Sequence, residues 1–341
     1  MQDTQEQHAF AADYIDLLNE KVGGKALGCS DEWFAECANL VLNSAPVFKE
    51  GHFVATGQWM DGWESRRSFG RAQRRGDNPD YDWCILRLGV AGIIRGVDID
   101  TSHFRGNAPE YASLEGAYVE GDLGDDTQWV EILGKSATEA HSKNLFAVAS
   151  EQLWTHVRLK IYPDGGVARL RVYGEAQVNR NNFIPGELLD LASVMNGGRG
   201  LTCSDMFYSS PSNLLMPARG VNMGDGWETR RRRDGGNDWC IIKLGLAGSI
   251  RKVILDTAHF KGNFPDSFSL EATCLESDDL EASDVQWQTV LGQTPLHADQ
   301  EHLFIRQIET AEDALFTHVR LNTFPDGGVS RLRIFGFPNW S

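Results

Sequence analysis

The residues best suited to chemistry in this chain come in two matching sets. The first is Glu64, Arg66 and Arg67, followed by Asp100, Thr101 and His103. The second is Glu228, Arg230 and Arg231, followed by Asp256, Thr257 and His259. Arginine grips carboxylates and planar amides through two parallel hydrogen bonds. Histidine exchanges a proton near neutral pH, and a carboxylate can orient the imidazole or act as the base itself. Such groups together suit a small anionic substrate and a proton transfer to it. Each also has a plainer reading. An aspartate at a strand end is commonly a turn residue accepting backbone N–H bonds. A histidine beside a phenylalanine, as in His103-Phe104, is commonly a packed one. Trp63 and Trp227 stand next to the glutamates and read either as core lids or as substrate-binding platforms. Asp164 and Asp326 read as turn residues. His156 and His318 alternate with apolar residues in Thr-His-Val-Arg-Leu and read as structural.

The sets match because the chain is internally duplicated. Residues 82–107, DWCILRLGVAGIIRGVDIDTSHFRGN, recur as 238–263, DWCIIKLGLAGSIRKVILDTAHFKGN. At an offset of 156 (238 − 82), 17 of these 26 positions are identical. Residues 155–174 and 317–336 share 14 of 20. With 341 residues the chain exceeds what one core usually supports, so two domains are expected, 1–178 and 179–341. The boundary falls in the polar, proline-containing stretch 176–186.

Charge narrows the function classes. A net charge of −16 argues against nucleic-acid binding, which needs basic faces. No apolar run approaches the ~20 residues of a membrane span. The start, MQDTQEQHAF, lacks the basic region and apolar core of a secretory signal, and the six cysteines are not a disulfide framework, so a reducing, cytoplasmic compartment is expected. Cys29 matches Cys203 and Cys84 matches Cys240, each expected as a small buried residue. No pair has CxxC spacing, so no cysteine-based zinc site is predicted. Against this acidic background arginines gather at Arg66, Arg67, Arg71, Arg74 and Arg75, and again from Arg230 to Arg233. A lone cluster of this kind is ordinarily a solvated loop; its recurrence narrows the margin between that reading and an anion site.

Positioning elements follow from patterning. Phe10, Tyr14, Leu17 and Leu18 are spaced for a helix ended by Gly23-Gly24, and 187–196 repeats the pattern before Gly197-Gly198. Segments 83–88 and 93–99 are rich in Ile, Leu and Val, and Gly89-Val90-Ala91-Gly92 has the length of a hairpin loop. That hairpin would bring Asp100, Thr101 and His103 to the edge where the Arg66-Arg67 loop arrives. Further strands are expected at 112–119, 128–133, 155–161 and 167–173, the last two flanking Pro163-Asp164-Gly165-Gly166. Gly106-Asn107 and Gly262-Asn263 read as turns needing positive φ. The fold class predicted is mainly β: two tandem antiparallel jelly-roll β-sandwich repeats, each preceded by a short helix. Asp100 and His103 could both ligate a metal, but no HExxH cluster, P-loop, dinucleotide fingerprint or GxSxG elbow is present.

Four of these stretches resemble the allantoicase family: MDGWESRR (60–67), DWCILRLG (82–89), DIDTSHFRGN (98–107) and YPDGGVARLRVYG (162–174). Their second copies are GDGWETRR, DWCIIKLG, ILDTAHFKGN and FPDGGVSRLRIFG. The resemblance implies hydrolysis of allantoate to ureidoglycolate and urea in purine degradation. It also implies two galactose-binding-like jelly rolls in a homo-oligomer, with a divalent metal such as manganese (Mn) needed in some members. On that substrate Arg66, Arg67, Arg230 and Arg231 suit the carboxylate and ureido oxygens. His103 or His259 is the candidate acid, and Asp100, Asp256, Glu64 or Glu228 the candidate base or metal ligand. The competing class is a non-catalytic tandem ligand-binding (carbohydrate-type) β-sandwich protein. A third reading makes one repeat active and the other structural, because the first repeat has the longer loop at 68–81.

Overall fold

A computed structural model describes residues 13–68, 80–278, 280 and 285–340. The chain divides into two compact units, Met1–Gln177 and Val178–Ser341, each built on an antiparallel eight-stranded network. The spine of the first is the 19-residue strand Asp82–Asp100. Its first half pairs with Lys25–Cys29 on one side and Leu153–Tyr162 on the other. Its second half lies between Lys143–Ala147 and Arg169–Ala176. Tyr111–Ala117 and Val130–Ala137 extend the first layer, and Ile15–Asp16 extends the second. The second unit repeats this arrangement around Asp238–Asp256.

The expected hairpin is therefore absent. Residues 83–88 and 93–99 never pair with each other; the chain turns a corner at Gly89–Gly92 and changes layer. The cause is steric. Gly89 N–H donates to the Leu17 carbonyl at 2.8 Å. A Cβ on Gly89 would lie 2.2 Å from the Val22 carbonyl oxygen, and one on Gly92 2.5 Å from that of Glu175. Neighbouring backbone therefore packs directly against both glycines, where any side chain would collide with it. The two ends of the spine still reach one edge, by another route. Ile161 is opposite Asp82 and Arg169 opposite Asp100, and only the turn at 163–168 separates these partners.

The helical pattern at 14–22 and 187–196 is also not realised. Each segment is a two-residue strand followed by a 3-10 turn, Glu20–Val22 and Val194–Asn196. Short polar side chains divert the backbone from a helix. Asp16 Oδ1 accepts the N–H groups of Leu18 and Val172, and Asn19 Oδ1 accepts that of Lys21. Asp190 and Ser193 act in the same way in the second unit. Leu17, Leu18, Leu191 and Ala192 are fully buried, so the apolar spacing reported burial and not helix. Phe10 lies outside the described residues. The core comprises the inward residues of both layers, such as Leu86, Ile99, Val157 and Leu170, all fully buried. Each contributes about 1.5–3 kcal/mol of hydrophobic stabilisation.

Candidate active site

At the edge where the spine ends, Trp63–Glu64 pairs with Gly166–Val167, directly after the Pro163-Asp164-Gly165 turn. This places Glu64 almost out of solvent. Its Oε1 accepts a hydrogen bond from Asn107 Nδ2 at 2.8 Å. In the second unit Glu228 Oε1 accepts the corresponding bond from Asn263 Nδ2 at 2.6 Å. Burial pushes the Glu64 carboxyl above the usual range; the Asn107 hydrogen bond and the Arg67 charge oppose this, and Asp164 adds to it. A carboxyl so placed can hold or release a proton nearer neutrality than an exposed glutamate.

The arginines divide by role. Arg66 is locked to Asp31, its Nε 2.7 Å from Oδ2 and its backbone N–H on Oδ1 at 2.8 Å. Arg230 holds Asp205 identically, with Nε to Oδ2 at 2.9 Å. Burial alone would raise Asp31 and Asp205, but the arginine contacts and nearby backbone amides hold both below the usual carboxylate range. Arg67 and Arg231 are exposed and form no ion pair with a described residue. Arg71, Arg74 and Arg75 lie outside the described residues. Asp164 Oδ2 accepts the Ser68 N–H and Asp326 Oδ2 that of Arg232, so these turn aspartates steady the arginine loop.

His103 and His259 adopt the left-handed backbone region, with φ of 72° and 71°. Such strain costs on the order of 1–3 kcal/mol and is characteristic of functional positions. The positive φ expected at Gly106-Asn107 and Gly262-Asn263 falls here instead, three or four residues earlier. His103 Nε2 lies 3.2 Å from the Pro46 carbonyl oxygen, and His259 Nε2 2.8 Å from that of Gly220. A carbonyl only accepts, so Nε2 carries a proton and Nδ1 is the atom left to exchange one. The ring is thus oriented by backbone, not by Asp100 or Glu64 as the sequence suggested. His141 Nδ1 accepts the His103 N–H at 2.8 Å; Asp299 Oδ1 serves His259 at 2.7 Å.

Other expected contacts are corrected. Thr101 and Thr257 are fully buried, and their hydroxyls donate to backbone carbonyls of 139 and 297 at 2.6 Å. Trp63 and Trp227 are likewise fully buried, each indole N–H donating to the Asp31 or Asp205 carbonyl. All four are scaffold and cannot meet a substrate. Asp100 Oδ1 accepts the Ser102 N–H at 2.8 Å, the turn role of its plainer reading. Asp256 does the same with Ala258 and is also gripped by Arg219, Nε to Oδ2 at 2.8 Å.

The first unit has Ala45 where the second has Arg219, and it adds a carboxylate, Asp98, where the second has Ile254. Asp98 is buried and its Oδ1 has no hydrogen-bond partner among the described residues. Burial, and then the neighbouring Asp100 charge, push its carboxyl up to about 7. Sequence reasoning passed over Asp98 and read Asn107 and Asn263 only as turn residues. An aspartate breaking the apolar pattern of one repeat, and an asparagine repeated in both, were the signals. Among the described residues no three His, Asp or Glu donors at either edge lie within 4.8 Å of one another. The edges therefore do not form a cage of hard donors for an ion such as Mn²⁺.

Fold and edge together define a tandem β-sandwich protein whose two copies each present a glutamate–asparagine pair, an exposed arginine and a strained histidine. The allantoicase repeat model matches residues 15–177 and 189–339. The chain is 46% identical over 332 residues to allantoicase from Dictyostelium discoideum, covering 95% of this chain and 87% of that one. It is 48% identical over 328 residues to a probable allantoicase from Photobacterium profundum, covering 95% and 96%. The crystal structure of allantoicase from Saccharomyces cerevisiae superposes with a TM-score of 0.78 at 36% identity, covering 98% of both chains. The chain belongs to the allantoicase family.

Proposed function

We propose that this protein hydrolyses allantoate to ureidoglycolate and urea, a step of purine degradation. The observation that supports this reading most is the match of both repeats, over nearly the whole chain, to proteins named allantoicase. It makes the enzyme a hydrolase of a carbon–nitrogen bond in a linear ureido compound. The edge chemistry suits that substrate. Allantoate has a carboxylate and two ureido groups on one carbon. Water adds its oxygen there, one C–N bond breaks, and the departing nitrogen takes a proton.

In this reading Arg67 and Arg231 bind the carboxylate, being exposed and unpaired to a described acid. Arg66 and Arg230, locked to aspartates, shape the shelf beside them. Glu64 and Glu228, held by Asn107 and Asn263, move the proton to or from the reacting groups. His103 and His259 hold a further proton at Nδ1. Asp100 and Asp256 fix the turns that carry these histidines. A cytoplasmic homo-oligomer acting on a small molecule, without nucleic-acid or membrane partners, completes the reading.

Purified protein incubated with ¹³C-labelled allantoate should release ureidoglycolate and urea in equal amounts by NMR. No urea, with or without added Mn²⁺, contradicts the reading and favours a binding module. His103→Ala and His259→Ala are each expected to slow turnover more than about threefold, roughly 0.7 kcal/mol on the barrier. Smaller effects in both remove histidine from the acid role.

A further inference from the structure

Although no cysteines are spaced CxxC, the first unit assembles thiols from three separate segments. Cys29 ends the strand Lys25–Cys29 and is paired across the ladder with Cys84 on the spine. Cys37 opens the 3-10 turn Cys37–Val41. Between them Glu32 turns back, its Oε2 accepting the Cys37 N–H at 3.0 Å. The Cys29 and Cys37 sulfurs and a Glu32 carboxylate oxygen all lie within 4.8 Å of one another. Cys84, opposite Cys29 in the ladder, is fully buried beside them. None of the six cysteines is in a disulfide.

We propose that Cys29, Cys37 and Glu32, backed by Cys84, form a binding site for a soft divalent cation of the zinc class. Tetrahedral zinc takes Cys sulfur at about 2.3 Å and carboxylate oxygen at about 2.0–2.2 Å. The ligand atoms then stand roughly 3.5–3.8 Å apart, a spacing that lies inside the 4.8 Å within which the cluster is gathered. Thiolates select such an ion over manganese or magnesium. Cys84 is fully buried and closes the floor, whereas Cys29 is half-buried and Glu32 exposed, which leaves a way in.

The second unit shows which residues are extra. At the offset of 174 that aligns Cys29 with Cys203, Glu32 falls on Met206 and Cys37 on Pro211. Cys203 and Cys240 therefore form the packing pair common to both units, and Glu32 and Cys37 are what convert that pair into a ligand set. A bound ion would brace residues 29–32. That segment carries Asp31, which holds Arg66 at the edge.

The test uses the full reduced chain with Co²⁺ as a spectroscopic probe. One cobalt per chain should bind with a sulfur-to-metal charge-transfer band, release thiol protons and be displaced by Zn²⁺. Cys29→Ser and Cys37→Ser should each weaken binding at least about tenfold and reduce the band, while Cys203→Ser leaves both unchanged. Glu32→Gln should weaken binding but keep the band. Absence of the band at saturating Co²⁺ overturns the proposal. So does a band undiminished in both Cys29→Ser and Cys37→Ser variants whose circular dichroism matches the parent. If Cys37→Ser does not fold, the half-buried Cys29→Ser and exposed Glu32→Gln decide the matter.

Discussion

At the residue scale, the proposed proton transfer rests on the Glu64–Asn107 pair. The Asn107 hydrogen bond favours the charged carboxylate, so its removal lets burial raise Glu64 further. Asn107→Ala should therefore move the acidic limb of the pH dependence of kcat/KM to higher pH. An unmoved limb shows that Glu64 is not the group titrating. Asp98 is raised by burial in the same direction, and further. Its carboxyl sits at about 7 when folded. The folded state thus binds this proton more tightly than the unfolded chain. The sign follows: Asp98 opposes folding least at low pH, and stability falls as pH rises from about 4 to 7. Asp98→Asn should stabilise the protein more at pH 8 than at pH 5, by on the order of 2 kcal/mol in urea unfolding. A variant that keeps the parental pH slope contradicts this. The sequence made the rim residues visible as repeated types. It could not show that Thr101 and Trp63 point inward, because burial of a lone polar or aromatic side chain depends on neighbours distant in the chain.

At the element scale, most of the β architecture was readable from alternation and turn chemistry, including the strands around both Pro-Asp-Gly-Gly turns. What misled was glycine. Gly89 and Gly92 are the ends of a four-residue stretch with hairpin composition, yet each is glycine because another backbone presses on it. A hairpin loop and a corner between layers share composition and differ only in what lies against them. Gly89→Ala should accordingly lower unfolding stability by at least about 2 kcal/mol. Gly28→Ala is the contrast, since a Cβ there meets nothing within 4 Å. Equal stability of the two variants in urea titration would remove the steric cause assigned to the corner. Long-range pins were equally hidden. Arg169 is buried and holds both Asp61 oxygens at 3.0 Å, fixing the long connection before Glu64 to the strand beside Asp100. Arg331 likewise donates to Asp225, at 3.1 Å to Oδ2 and 2.6 Å to its backbone carbonyl. A sequence shows two arginines after a turn, not their partners more than a hundred residues away.

At the scale of the whole molecule, duplication supplied two edges and then let them diverge. Both keep the glutamate–asparagine pair, the exposed arginine and the strained histidine. Only the first has a free-standing Asp98 and the thiol cluster; only the second neutralises its aspartate with Arg219. Against a net charge of −16, exposed arginines such as Arg67 and Arg231, which form no ion pair with a described residue, are the places proposed here for an anion. The most direct measurement is urea released from allantoate by the parent, Glu64→Gln, Glu228→Gln and the double variant, alongside their thermal melting. The prediction is turnover in the parent and a loss of at least about a hundredfold in the double variant with its melting preserved, the single variants dividing the loss between repeats. Turnover in a folded double variant equal to that of the parent would contradict the assignment of proton transfer to this pair.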